Sequence, residues 1–77
     1  MAHVTIYTTP TCVYCKMSKE FFKTHNIQYT EKDVAADEVA RKEMFERSGQ
    51  MGVPVIDIDG QMVVGFDQKK LSELLGV

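Results

Sequence analysis

The apolar and polar positions of this chain change period several times, and each change marks an element. Val4 to Tyr7 sets β-branched and aromatic residues around a threonine, the pattern of a short strand, and Thr8-Thr9-Pro10-Thr11 reads as the loop after it. From Val13 to about His25, the residues Val13, Met17, Phe21 and Phe22 recur near helical spacing, with Lys16, Lys19, Glu20 and Lys23 on the other face. His25-Asn26 ends this helix. Ile27 to Val34 alternates Ile27, Tyr29, Glu31 and Asp33 against Gln28, Thr30 and Lys32, a second and less apolar strand. A strand, helix, strand succession implies parallel pairing with a right-handed crossover.

The second half follows different rules. Asp37 is the expected N-cap of a helix carrying Val39, Ala40, Met44 and Phe45, and Ser48-Gly49 supplies its stop. After the loop Gln50-Met51-Gly52, Pro54 to Ile58 and Gln61 to Val64 flank Asp59-Gly60, a strong signal for a tight hairpin. Gly65-Phe66-Asp67 leads into a last helix, with Asp67 as N-cap and Leu71, Leu74 and Leu75 facing inward. The predicted order is βαβ, helix, ββα, an α/β fold with a four-stranded mixed sheet flanked by three helices.

Composition narrows the class. Seventy-seven residues make one domain, spanning 1–77, with 44% apolar and 26% charged residues as in ordinary globular proteins. A chain this short buries roughly 60% of its extended-chain surface, so one compact core is expected. The formal net charge of -2 offers no basic face for a phosphate backbone, and nucleic acid is excluded as a partner on that reading. Met1-Ala2-His3-Val4-Thr5-Ile6 lacks the features of a signal peptide, and no apolar run suits a membrane span. A cytoplasmic monomer is the expectation. The methionines Met17, Met44, Met51 and Met62 are scattered and read as core filling and loop, and His3 and His25 as surface or strand-edge residues.

The candidate chemistry lies in Cys12-Val13-Tyr14-Cys15, the chain's two cysteines at the head of the first helix. A disulfide between residues i and i+3 closes a very small loop and removes little entropy from the unfolded chain, so it is a poor staple. At helical spacing the Cβ atoms lie about 5 to 6 Å apart, against the roughly 3.5 to 4.5 Å that a disulfide prefers. A small rotation closes the bridge, which makes it easy to form and to break. A helix N-terminus favours a thiolate, so Cys12 is the expected attacking thiol, and Cys15, three residues inward, the resolving one. Zinc lacks a matching second ligand pair, since only His3 and His25 are available and their spacing is wrong.

Ile6-Tyr7-Thr8, Cys12-Val13-Tyr14-Cys15, Gly52-Val53-Pro54 and Gly65-Phe66-Asp67 stand in the order and spacing of glutaredoxins and NrdH-type redoxins, and the chain resembles that family from Val4 to Leu75. The resemblance implies a thioredoxin fold, a cis Val53-Pro54 bond and a thiol-disulfide oxidoreductase that reduces client protein disulfides through Cys12 and Cys15. It further implies a substrate or glutathione contact surface at Tyr14, Val53, Pro54, Gly65, Phe66 and Asp67. No tightly bound cofactor or metal is expected, with glutathione or thioredoxin reductase as reductant and ribonucleotide reductase as a candidate client. An alternative use of the same cysteines is an iron-sulfur cluster held between two protomers. The motif is a hybrid: Val13 takes the place of the proline common in dithiol glutaredoxins, as in NrdH-type redoxins, whereas Tyr14 keeps the glutaredoxin choice. Where glutaredoxins usually carry a lysine or arginine shortly before the first cysteine, this chain has Thr8, Thr9 and Thr11. That departure favours thioredoxin reductase over glutathione.

Overall fold

The computed structural model describes residues 3–50 and 52–77; Met51, expected in a loop, lies outside them, as do Met1 and Ala2. The elements are β1 (Val4–Thr8), α1 (Val13–Thr24), β2 (Thr30–Asp33), α2 (Glu38–Ser48), β3 (Val55–Ile58), β4 (Gln61–Val64) and α3 (Gln68–Leu75). They follow the order that the sequence pattern predicts. The sheet runs β2-β1-β3-β4, with β1 parallel to β2 and antiparallel to β3, and β3 antiparallel to β4. Asp59 and Gly60 turn the hairpin with φ of 51° and 92°, the paired left-handed geometry that matches the twist of two adjoining strands.

Each sheet face is covered by its own helices. On one side Phe21 and Phe22 of α1 and Leu71 of α3 pack on Val4, Ile6, Ile56, Ile58 and Val63. On the other, Ala40 and Met44 of α2 pack on Tyr7, Val34 and Val55. Strands β1 and β3 are buried along their whole length because both faces are covered.

That burial extends to Asp57, whose carboxylate takes Arg47 Nη1 at 2.6 Å and Gly60 N at 2.8 Å. Tyr7 Oη donates to Glu43 Oε1 at 2.5 Å, and Lys32 Nζ reaches the same oxygen at 3.1 Å. Polar groups under α2 are therefore paired across strands and helix.

Several sequence expectations change in detail. Strand β1 runs one residue further, to Thr8, which is buried, and β3 begins at Val55, one residue after Pro54. Strand β2 covers four residues of the stretch from Ile27 to Val34. Ile27 N bonds to Phe22 O at 2.8 Å, so this residue closes the end of α1, and Ile27 and Tyr29 pack on the α1 core before pairing begins. In α2 only Ala40 and Met44 are buried; Val39 is 75% and Phe45 49% exposed, because a helix resting on a narrow strip of sheet buries a single i, i+4 row. Met17 is also exposed, not core, whereas Met44 is buried and Met62 half-buried as expected. The caps hold: Asp37 accepts from Val39 N and Ala40 N, Asp67 from Lys70 N, and Gly49 ends α2 in the left-handed region.

Candidate functional site

Sheet register gathers the four sequence motifs at one end of the molecule. Tyr7 pairs with Val55 and Val55 with Val64, so the chain leaving β1, the chain entering β3 and the chain leaving β4 meet at the same edge. From there Thr9 to Cys12 form a turn, closed by Cys12 N donating to Thr9 O at 3.3 Å, that delivers Cys12 to the head of α1. The Val53-Pro54 bond is cis. Pro54 O accepts from Gly65 N at 2.8 Å, which ties the proline loop to the segment holding Phe66 and Asp67. Gly65 takes φ of 80°, a left-handed turn that a side chain would oppose.

Cys12 is the N-cap of α1, with extended backbone, and its Sγ accepts a hydrogen bond from Cys15 N at 3.1 Å. A sulfur in that position faces N–H groups of the first turn that have no partner within the helix. It is half-buried, within reach of solvent, whereas Cys15 is fully buried beneath it. Burial first, and then the adjoining Cys12 sulfur, push the Cys15 thiol up to about 12, against the pull of a Thr9 backbone hydrogen bond and the Lys19 charge. The two cysteines are thus distinguished by exposure as well as by position.

The flanking residues divide. Val13 and Tyr14 stand 69% and 61% exposed at the rim of Cys12. Val53 is half-buried against the α2 side of the core, and Pro54 is buried. Phe66 packs edge-on to Phe21, with ring centroids 6.1 Å apart, and keeps part of its surface open. Asp67 is exposed, its Oδ1 capping α3.

Sequence reading missed a polar group behind Cys15. Lys19, one helical turn after Cys15, places Nζ 3.0 Å from Glu31 Oε2 of β2, and Thr8 Oγ1 donates to the same oxygen at 3.1 Å. The Lys19 hydrogen bond holds the Glu31 carboxyl below its ordinary range. The signal was available as the i, i+4 spacing of Cys15 and Lys19, but nothing in the sequence paired Lys19 with a strand twelve residues away. The other cation near the motif, Lys16, also lies on α1 and lines a groove with Cys12. Positive charge therefore approaches Cys12 from the helix, where the preceding loop has none.

A family model described as glutaredoxin matches residues 4–63, which includes β1, the cysteine pair, the cis proline and the hairpin up to, but not including, the last residue of β4. The chain belongs to the glutaredoxin family. It is 46% identical over 72 residues to an uncharacterized glutaredoxin-like 8.6 kDa protein in the rubredoxin operon of Clostridium pasteurianum, covering 94% of this chain and 96% of that one. It is 39% identical over 67 residues to glutaredoxin 3 of Escherichia coli strain K12, covering 87% of this chain and 81% of that one. Among solved structures, a variant of a thioredoxin-like protein superposes with a TM-score of 0.93 at 36% identity, over 100% of this chain and 99% of that one. The architecture is accordingly a thioredoxin fold. No helix among the described residues is long and apolar enough to cross a membrane.

The buried thiol of this glutaredoxin has a consequence for stability. Cys15 is raised from an ordinary 9.0 to about 12, and Tyr7 from 10.0 to about 12, chiefly by burial. In the unfolded chain both groups ionise first as the pH rises, so their contribution is complete below about pH 9 and is lost progressively towards pH 12. The urea midpoint of the reduced protein is expected to fall across that window. The oxidised protein, with no thiol proton at Cys15, is expected to fall less; equal slopes for the two forms would contradict the assignment.

Proposed function

We propose that the protein reduces disulfides of client proteins by a two-thiol exchange. The observation that supports this best is the half-buried Cys12 sulfur, capped by Cys15 N–H at 3.1 Å, with a buried thiol on the same first turn of α1. Cys12 thiolate attacks one sulfur of the client disulfide: the client S–S bond breaks, a Cys12–client bond forms, and the other client sulfur leaves as a thiolate that takes up a proton. Cys15 then gives up its proton and attacks Cys12 Sγ. The mixed disulfide breaks, the Cys12–Cys15 bond forms, and the second client sulfur departs. Two electrons pass from protein to client.

In this reading Tyr14, Val53, Pro54, Gly65, Phe66 and Asp67 make the contact surface. The hydrogen bond from Gly65 N to Pro54 O ties the segment before β3 to the chain leaving β4, at the sheet edge from which the cysteine turn departs, and an extended client segment can lie along the Val53 backbone there. Lys19, held by Glu31, sets a cation one turn from Cys15 and so favours the thiolate that the second step requires. The lack of a cation before Cys12 leaves glutathione's carboxylate without its usual partner in that loop, which favours thioredoxin reductase as reductant. The first client to test is ribonucleotide reductase, after the NrdH-type resemblance. The iron-sulfur alternative is less well supported, since a cluster between two protomers takes one accessible sulfur, Cys12, from each chain and its other thiolates from glutathione, whose carboxylate lacks its usual cation in the loop before Cys12.

The test begins with the oxidised protein, following its thiols with glutathione plus glutathione reductase in one tube and thioredoxin reductase plus NADPH in another. Faster reduction in the second tube is the expected result. The reduced protein is then mixed with a disulfide-bonded client, and loss of two thiols per chain is expected. Thiols that survive unchanged beside a client disulfide would overturn the exchange reading.

A further inference from the structure

Charge is unevenly distributed over the fold. Helices α1 and α3, which share one face, hold Lys16, Lys19, Lys23, Lys69 and Lys70 against Glu20 and Glu73, with Glu31 beside Lys19 and Asp67 capping α3 on the same side. The remainder of the chain holds seven acids against four cations. A molecule of net charge -2 therefore keeps a small positive excess on the α1/α3 layer, and Cys12 sits at its upper end.

Two grooves run along α1 and merge at Val13, Lys16 and Glu20. One, of about 480 Å³, contains Cys12 and is lined by Thr9, Lys16, Lys19 and Lys23. The other, of about 490 Å³, descends between α1 and the start of α3 over Val13, Met17, Phe21 and Phe66. Phe21 belongs to the core and Phe66 packs on it, but Val13 is 69% and Met17 45% exposed along this groove. Lys19 is engaged by Glu31, whereas Lys16 and Lys23 make no ion pair among the described residues. The apolar cleft shares Lys16 with the groove of Cys12, in which the unpaired Lys16 and Lys23 outnumber Glu20, and the joined surface is complementary to a chain that is apolar and acidic.

We propose that this surface selects clients in which the reactive cysteine is followed by an extended segment carrying one large apolar side chain and two acidic ones. Val13 to Thr24 spans about 18 Å at 1.5 Å per residue, which an extended segment of about five residues covers. The apolar side chain fills the cleft between Met17, Phe21 and Phe66; the carboxylates lie along Lys16 and Lys23. This rests on the exchange reading above and adds to it the sequence character of the client.

The test uses pentapeptides with an N-terminal cysteine held as a mixed disulfide with thionitrobenzoate. Attack by Cys12 on the peptide sulfur forms the Cys12–peptide bond and expels thionitrobenzoate, whose colour reports the rate. One peptide carries phenylalanine and two aspartates, a second phenylalanine and two lysines, and a third glycine and two aspartates. At about 0.01 M salt the first is expected to react about tenfold faster than the second, and this ratio is expected to shrink at about 1 M, where the Debye length is near 3 Å. In the double variant Lys16→Glu/Lys23→Glu the ratio is expected to invert. A ratio taken within one protein is insensitive to lost folding or reactivity, which slow both peptides alike. Equal rates for the first two peptides, equal rates for the first and third, or a ratio unmoved by the double variant would each overturn the proposal. No release from any peptide would overturn the exchange reading itself.

Discussion

Replacing Cys12 by serine is expected to lower protein disulfide reduction by at least about a thousandfold, and replacing Cys15 to stop it after half a cycle. The two losses differ in kind. Cys12→Ser removes the solvent-accessible, half-buried sulfur, and the buried Cys15 has no access to a client, so no covalent complex forms. Cys15→Ser keeps the attacking thiol and its site at the helix head but removes the internal nucleophile that breaks the mixed disulfide. Serine at that position retains the backbone N–H that reaches Cys12 Sγ, so the first step is expected to survive. The check is a non-reducing separation of protein mixed with a client disulfide: a stoichiometric, thiol-cleavable complex for Cys15→Ser and none for Cys12→Ser. Full turnover by Cys15→Ser would show that an external thiol resolves the intermediate, and the dithiol reading would then fail.

The candidate site was legible in the sequence where its residues are placed by local backbone chemistry. Cysteines at a helix head, Asp67 before a helix and Asp59-Gly60 between two apolar runs announce themselves through capping and turn preferences that act over three or four residues. What was not legible depends on pairing across the sheet. Nothing adjacent to Lys19 reveals that Glu31 holds it, and nothing adjacent to Asp57 reveals that Arg47 from α2 allows a carboxylate to be buried inside β3. The apolar pattern also misled in two helices. Val39 and Phe45 look like the core row of α2, yet the sheet face beneath accommodates only Ala40 and Met44. Val13 and Met17 look like the top of the α1 core row, yet the row that α1 buries is Cys15, Ser18, Phe21 and Phe22; Val13 and Met17, each two residues from Cys15, fall on the other side of the helix and face solvent. Helical periodicity specifies a stripe on a helix; how much of that stripe is buried is decided by the surface it meets.

Phe22→Ala is expected to have the largest effect on stability, because Phe22 joins the helix that carries the cysteines to the sheet that orients it. Its ring is fully buried, 5.2 Å from the Tyr29 ring and 6.0 Å from that of Phe21, in the cluster formed with Val4, Ile6 and Leu71. Truncating a buried phenylalanine costs about 3 to 5 kcal/mol through lost burial and the cavity that remains, out of the roughly 5 to 15 kcal/mol that a domain has in total. For a chain of this size that lowers Tm on the order of 15 to 30 °C. Val39→Ala, at a position 75% exposed, is expected to stay within about 0.5 kcal/mol of the parent. Urea unfolding of the two variants tests the difference: a large fall in midpoint at unchanged slope for Phe22→Ala, and almost none for Val39→Ala. The same substitution bears on the site, since Ile27 N bonds to Phe22 O and fixes where α1 ends, and the far end of α1 is the turn that presents Cys12. Loss of the ring leaves the local cap at Cys12 intact but weakens the packing that seats the helix under it. Activity of Phe22→Ala is therefore expected to fall only as the folded fraction falls, with the second-order rate of folded protein towards a small neutral disulfide preserved to within about twofold.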